Sequence, residues 1–234
     1  HKLWFYTSGP QTPMGMYLNT DHPLLKNIHI RLGLQHSMDI DGMITKILRS
    51  DYEHLPQFYS GYGEYTDNSI KARPFDLKKA DEYFSKAGFD KRGGDGIRIN
   101  KDGVRLAFEI TYGVPPHTPR LTYLKEEAKK AGVELNLSLL DGAAAFKKSS
   151  EKKHEMSWTG FSTNLRPSPL QTFHSDNAHK PQTNNFFNIA NSKLDKLIET
   201  YRDSLSTAER IKLSHEIQHI VHDEAVFIPT IMVP

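Results

Sequence analysis

The sequence predicts an α/β fold, a mixed β-sheet flanked by helices, and three observations carry that prediction. Between residues 104 and 158 strand-like and helix-like patterns alternate as strand, helix, strand, helix, strand, the order that yields an at least partly parallel sheet. Helical apolar stripes begin at Asp39, Asp76 and Asp141, and two helical segments stop at Gly88 and Gly132, so caps and stops agree with periodicity. Two further helical stripes near the end of the chain run into an apolar strand over 225–233.

Composition narrows the function classes. At 234 residues the chain is long enough to bury a real core, and 12 Phe, 10 Tyr and 2 Trp argue for a folded globule. No run approaches the ~18 apolar residues that a membrane-crossing helix needs. A net charge of +2, with lysines and acids interleaved, is not the basic patch that nucleic-acid binding requires. The absence of cysteine excludes disulfides, Cys-type zinc sites and thiol chemistry.

Taken in order, Leu3, Trp4, Phe5 and Tyr6 form an aromatic, β-prone run, and 14–19 form a second. Because the chain opens inside such a run, it is expected to be a piece of a longer protein. Ile28, Ile30, Leu32 and Leu34 alternate strictly, which by periodicity is a strand. Asp39 then caps a helix to about residue 48, with Ile40, Met43, Ile44 and Ile47 on one face. Residues 50–74, rich in Tyr, Gly and Pro, read as a long loop. Asp76 caps a helix with the stripe Ala80, Tyr83, Phe84 and Ala87. A hairpin follows, with 97–100 and 104–112 as strands and its turn at Asp102-Gly103.

Beyond Pro119, a helix turns Leu121, Leu124, Ala128 and Ala131 inward, 133–140 alternate as a strand, and Asp141 caps a helix to about residue 153. Met156, Ser157 and Trp158 form a short buried strand that breaks at Gly160 into a polar loop ending in Pro167 and Pro169. Strand ends that open into loops are where α/β proteins usually place ligands. The tail stripes are Leu194, Leu197, Ile198, Tyr201 and Leu205, then Leu213, Ile217, Ile220 and Val221.

The sharpest chemical pattern is His215-Glu216-Ile217-Gln218-His219, the spacing of a zinc hydrolase helix. On a helix, however, its histidines and His222 fall about 160–200° from the apolar stripe and are expected to face solvent. The third ligands usual downstream of such a motif are missing. His29, His36, His54, His117, His154, His174 and His179 show no ligand spacing and read as surface residues. Gly93-Gly94-Asp95-Gly96 precedes a hairpin rather than a helix and reads as a turn; no Gly-x-Ser-x-Gly elbow is present. The segment 182–188, with Asn184 and Asn185 beside Phe186 and Phe187, suits backbone recognition and equally a structured surface loop.

Tyr17-Leu18-Asn19, Pro23-Leu24, Asn27, Ile30-Arg31 and Met38-Asp39, in that order, resemble a signature of peptide-type (family 5) substrate-binding proteins of ABC transporters. Arg73-Pro74-Phe75-Asp76, Ala80 and Ala87-Gly88 resemble a second, and Ala208-Glu209-Arg210 with Asp223-Glu224-Ala225 resemble the family's tail. The resemblance implies a type II periplasmic-binding-protein-like lobe, and a helix rather than a strand at 28–34. It divides the chain into crossover or hinge strands over 1–25 and a C-terminal ligand-binding lobe over 26–234. Trp158-Thr159-Gly160-Phe161 is similar to the family's W-x-x-D, whose Asp meets the peptide amino group. Phe161 in that place, with 162–169, is similar to the Yej-type branch.

By this resemblance the chain is expected to be a non-enzymatic, extracytoplasmic importer component, periplasmic or membrane-associated. It would bind an oligopeptide and deliver it to permease subunits, as a monomer without cofactor, metal or nucleic acid. The expected ligand-binding residues are Trp158, Thr159, Gly160, Phe161, Asn164, Arg166, Asn184 and Asn185. Two alternatives stay open: a zinc-dependent peptidase using His215, Glu216 and His219, and binding of a non-peptide solute by the same fold.

Overall fold

A computed structural model describes residues 9–234; the predicted strand over Leu3 to Tyr6 and the first part of the 1–25 segment lie outside the described residues. Among the described residues five strands make the main sheet: β1 (Gly15–Leu18), β5 (Ala107–Tyr112), β6 (Glu134–Leu139), β7 (Met156–Thr159) and β8 (Phe227–Pro229), ordered β6-β5-β7-β1-β8. β5 runs parallel to both β6 and β7, and β1 runs antiparallel to β7 and β8, so the sheet is mixed as the sequence predicts. Two small ribbons complete the strands: β2 (Glu53–His54) with β9 (Ile231–Met232), and β3 (Lys91–Arg92) with β4 (Arg98–Ile99). The apolar 225–233 run is thus two strands in two sheets, parted at Thr230, whose N–H and hydroxyl both bond to the Met14 carbonyl.

The helices form where caps and stripes coincide. Asp39 accepts from Gly42 N–H to start α2 (Ile40–Lys46), Asp76 accepts from Lys78 and Lys79 N–H to start α3 (Leu77–Lys86), and Asp141 accepts from Ala144 N–H to start α5 (Gly142–Ser150). α4 (Thr118–Lys130) joins β5 to β6 and ends at Gly132, whose φ of +83° suits a residue without a Cβ. α7 (Ser192–Asp203) and α8 (Thr207–Asp223) pack together near the chain's end, behind the short α6 (Pro169–Phe173).

Residues 28–34 are helical: α1 spans Ile28–Ser37. The alternating apolar residues mislead because the helix buries Ile30 and Leu34 one turn apart together with the polar Arg31, Gln35 and Ser37 and with Gly33. Gly33 lies against the Phe84 ring, where any Cβ would sit 2.4 Å from a ring carbon, and Ser37 donates its hydroxyl to the Gly33 carbonyl. Leu205 leaves its predicted stripe and is 96% exposed, because α7 stops two residues earlier.

Alternation along the strands separates two cores. Met16, Leu18, Phe108, Ile110, Tyr112, Met156, Trp158 and Ile228 point to one side, where α1 to α4 cover them. Tyr17 and Phe227 point to the other, into an aromatic cluster with Phe58, Phe173, Phe186 and Phe187 under α7 and α8. Phe187 stacks on Tyr17 at 4.9 Å and on Phe173 at 5.3 Å.

Candidate ligand-binding site

On that second side β5 and β7 do not continue the aromatic surface. Their residues there are Glu109, Thr111 and Ser157, and the space beside them is a cavity of about 240 Å³ at the strands' C-terminal ends. α5 closes it with Gly142, Ala145, Phe146 and Ser149, and the turn after β5 adds Gly113, Val114 and His117. The approach is close: a Cβ on Gly113 would lie 2.8 Å from the Gly142 Cα, so this turn needs glycine to pack on the start of α5. Ligands in open α/β sheets bind at such carboxyl ends.

Trp158, Thr159 and Gly160 line this cavity together with Met14 and Phe186. Trp158 is buried, and its indole N–H donates to His117 Nδ1 at 3.0 Å. That bond fixes His117 as the neutral tautomer with its proton on Nε2. Burial, reinforced by the Arg120 charge, holds the His117 pKa below the usual imidazole value and favours the same form. A Cβ on Gly160 would meet the Thr12 methyl at 2.8 Å, so glycine lets the strand end pass the 12–14 segment.

The remaining predicted residues stand elsewhere. The Phe161 ring packs at 4.9 Å from Phe186 and 5.5 Å from Tyr17, at the rim of the aromatic cluster. Asn164 and Arg166 are exposed on the loop after β7, which the Tyr201 hydroxyl anchors by donating to the Pro167 carbonyl at 2.8 Å. Asn184 is exposed on a neighbouring turn. Asn185 is fully buried: its Nδ2 donates to the carbonyls of His174 and Ile189, and its Oδ1 accepts from Ile189 N–H. Its amide thus builds the turn rather than facing an open cleft. Lys152 holds the same turn, donating to the carbonyls of Thr183 and Asn185, and burial brings its pKa down to about 8.

Sequence reasoning missed Thr111, His117, Phe146, Ser149, Ser157 and Phe186 as lining residues. The signal was available in the order of elements: parallel strands β5 and β7 end at Tyr112-Gly113 and Thr159-Gly160, and the site lies beyond them. The histidine expectation also needs correction. His36, His154 and His174 are buried, and burial pushes His154 down to about 4 while its Nε2–H donates to the Phe186 carbonyl.

The His215-Glu216-Ile217-Gln218-His219 stretch does lie on a helix, α8. Its imidazoles lie at the surface, as expected, and there meet the long loop: His215 Nε2 is 2.8 Å from the Glu64 carbonyl, and the half-exposed His219 has Nε2 2.9 Å from the Asp67 carboxylate. Both rings serve as clasps on that loop. Among the described residues no three His, Cys, Asp or Glu side chains are grouped to hold a metal ion.

The family model of the bacterial extracellular solute-binding proteins, family 5 (middle region), matches residues 2–184. The chain belongs to this family. The oligopeptide-binding protein AppA of Bacillus subtilis is 24% identical over 212 residues, 86% of this chain and 37% of the relative. A probable ABC transporter-binding protein of Deinococcus radiodurans is 30% identical over 123 residues, 50% of this chain and 20% of the relative.

Among solved structures, AppA with a nonapeptide superposes with a TM-score of 0.87 at 19% identity, covering 95% of this chain and 45% of that one. NikZ of Campylobacter jejuni with Ni(L-His) gives 0.84 at 22% identity, covering 99% and 46%. A mannohexaose-bound oligopeptide-binding protein of Thermotoga maritima gives 0.82 at 16%, covering 96% and 44%. The type II periplasmic-binding-protein fold is therefore established, and one architecture holds three kinds of ligand. The chain spans less than half the length of these relatives. No helix among the described residues is long and apolar enough to cross a membrane.

Proposed function

We propose that this chain is the C-terminal lobe, with crossover strands before residue 26, of a two-lobed solute-binding protein that captures oligopeptides for an ABC importer. The observation that carries this reading is the cavity at the C-terminal ends of β5 and β7, lined by Trp158, Thr159 and Gly160 and opening beside the exposed side chains of Val114 and Phe146. Its apolar rim suits a surface that a second lobe covers when the protein closes on its ligand. Main-chain groups near Thr159 and Gly160 would pair with the peptide backbone in the manner of an added strand.

Phe161, packed against Tyr17 and Phe186, offers no charge to a peptide amino group, which favours the Yej-type branch. Arg166, exposed on the loop after β7, is the candidate partner of a ligand carboxylate, and the exposed Asn164 and Asn184 are candidate polar contacts. The protein would act as a monomer outside the cytoplasm, hand its ligand to permease subunits, and carry out no chemistry on it. The relative named as oligopeptide-binding and the nonapeptide-bound structure support peptide as the ligand class.

Calorimetric titration of the full-length protein with defined peptides tests the reading. Binding is expected with the peptides recovered intact, and Trp158→Ala should weaken it by about 1–3 kcal/mol, the order of one buried large apolar side chain. Peptide binding that Trp158→Ala leaves unchanged would remove this cavity from the site. Cleaved peptides would overturn the transport reading.

A further inference from the structure

The floor of the cavity is made of hydroxyls. Thr111, Ser149 and Ser157 all line it, and each is more than nine-tenths buried, at 0%, 1% and 4% exposure. Their hydrogen-bonding capacity is only partly used. Thr111 donates its proton to Glu109 Oε1 at 3.1 Å, which leaves the lone pairs of Thr111 Oγ1 as acceptors. The Oγ atoms of Ser149 and Ser157 are 2.8 Å apart, so one donates to the other. The proton of the accepting hydroxyl has no further bond among the described residues. Ser157, at 4% exposure the most accessible of the three, therefore presents the unspent hydroxyl capacity to the cavity, with Ser149 bonded to it and Thr111 behind.

The rest of the lining is apolar or neutral. Met14, Val114, Phe146, Trp158 and Phe186 form the walls, and His117 is neutral because its Nδ1 accepts from the indole. Among the described residues no Asp, Glu, Lys or Arg lines the cavity. Glu109, below Thr111, is ion-paired with Lys148 and delivers no net charge.

From this geometry we propose that the cavity is a selectivity subsite for one uncharged ligand side chain with a hydrogen-bonding tip, such as a tyrosine or glutamine, read by the Ser157–Ser149 hydroxyl pair. The proposal rests on the peptide-binding reading above. A charged tip would lose its water with no counter-ion in reach. A wholly apolar tip would displace water from the hydroxyls and leave them unpaired. A tip that both donates and accepts matches what the floor has left, while the exposed Phe146 ring and Val114 at the rim take the body of the side chain.

The test is calorimetry of the full-length protein with a peptide series in which each position in turn carries Tyr or Phe, Gln or Met, Lys, or Glu. At one position the polar member of a neutral pair should bind about 3- to 10-fold tighter than its apolar partner, the span of one net hydrogen bond, with Lys and Glu weaker than either. The preference should vanish in the double variant Ser149→Ala, Ser157→Ala. Ser157→Ala alone, which removes the hydroxyl most open to the cavity, gives an independent readout should the double variant fail to fold. Peptides that bind with no discrimination within either pair, or with discrimination that survives both variants, would overturn the subsite while leaving the peptide reading intact. Failure of every peptide in the series to bind would overturn that reading, and the subsite with it.

Discussion

Tyr17 and Ser157 face each other across β1 and β7 on the same side of one sheet, and their surroundings are opposite. Tyr17 sits among the rings of Phe58, Phe161, Phe186, Phe187 and Phe227, all within 6.3 Å between centroids. Ser157 has one hydroxyl partner and an open cavity. A single strand-to-strand step thus changes the sheet from packed core to floor of a site. Phe186 stands on the boundary, belonging to the aromatic cluster and lining the cavity. The aromatic half is rigid because rings interdigitate at many contacts. The hydroxyl half stays open at the strand ends, where Gly113, Gly142 and Gly160 line the cavity without side chains to fill it.

The comparison can be broken first on its stable side. Phe187→Ala removes a fully buried ring stacked on two others, and should cost about 3–5 kcal/mol in chemical denaturation. Ser157→Ala, directly beyond Tyr17 in register, should cost under about 1.5 kcal/mol, since a single net hydrogen bond is at stake. Equal costs at the two positions would mean that the two halves do not differ in packing as described.

The boundary titrates. His154 bonds to the Phe186 carbonyl, and burial holds its pKa at about 4 against 6.5 for the free ring. The folded state prefers the neutral ring, so the unfolded chain takes up the proton first as pH falls. This contribution is intact above pH 6.5 and is lost progressively down to about pH 4, by about 3 kcal/mol at 1.36 kcal/mol per pH unit. Denaturation at a series of pH values should show that slope, and His154→Gln should flatten it. A slope unchanged by the substitution would assign the titration elsewhere.

Smaller effects sharpen the open side. Asp141→Ala removes the cap of α5, which carries Phe146 and Ser149, and should lower stability by about 1 kcal/mol. Leu165→Ser, at a side chain 97% exposed on the loop after β7, should change stability by less than about 0.5 kcal/mol. A larger loss at Leu165 would mean that the loop is packed against something in solution.

What could be read from the sequence was local. The capping aspartates, the Gly88 and Gly132 stops and the parallel strand order carry their physics within a few residues, and the structure places all of them as predicted. Arg31, Gly33, Gln35 and Ser37 gave no apolar signal, although they are buried on α1 beside Ile30 and Leu34, so an accidental alternation of Ile and Leu read as a strand. The floor of the cavity was illegible for a related reason. Thr111, Ser149 and Ser157 are ordinary residues 38 and 8 positions apart, and only the crossings of β5, α5 and β7 bring them together. Histidines misled in one direction, with His36, His154 and His174 buried, while the α8 pair lies at the surface and clasps the long loop.

The central claim is that ligand occupies the ends of β5 and β7 on this lobe, and hydrogen exchange of the full-length protein with and without a bound peptide tests it most directly. Slower exchange is expected at 113–117, 142–146 and 159–161, with little change around the fully buried Tyr17 and Phe187. A peptide that binds and slows exchange elsewhere, leaving those three segments untouched, would contradict it.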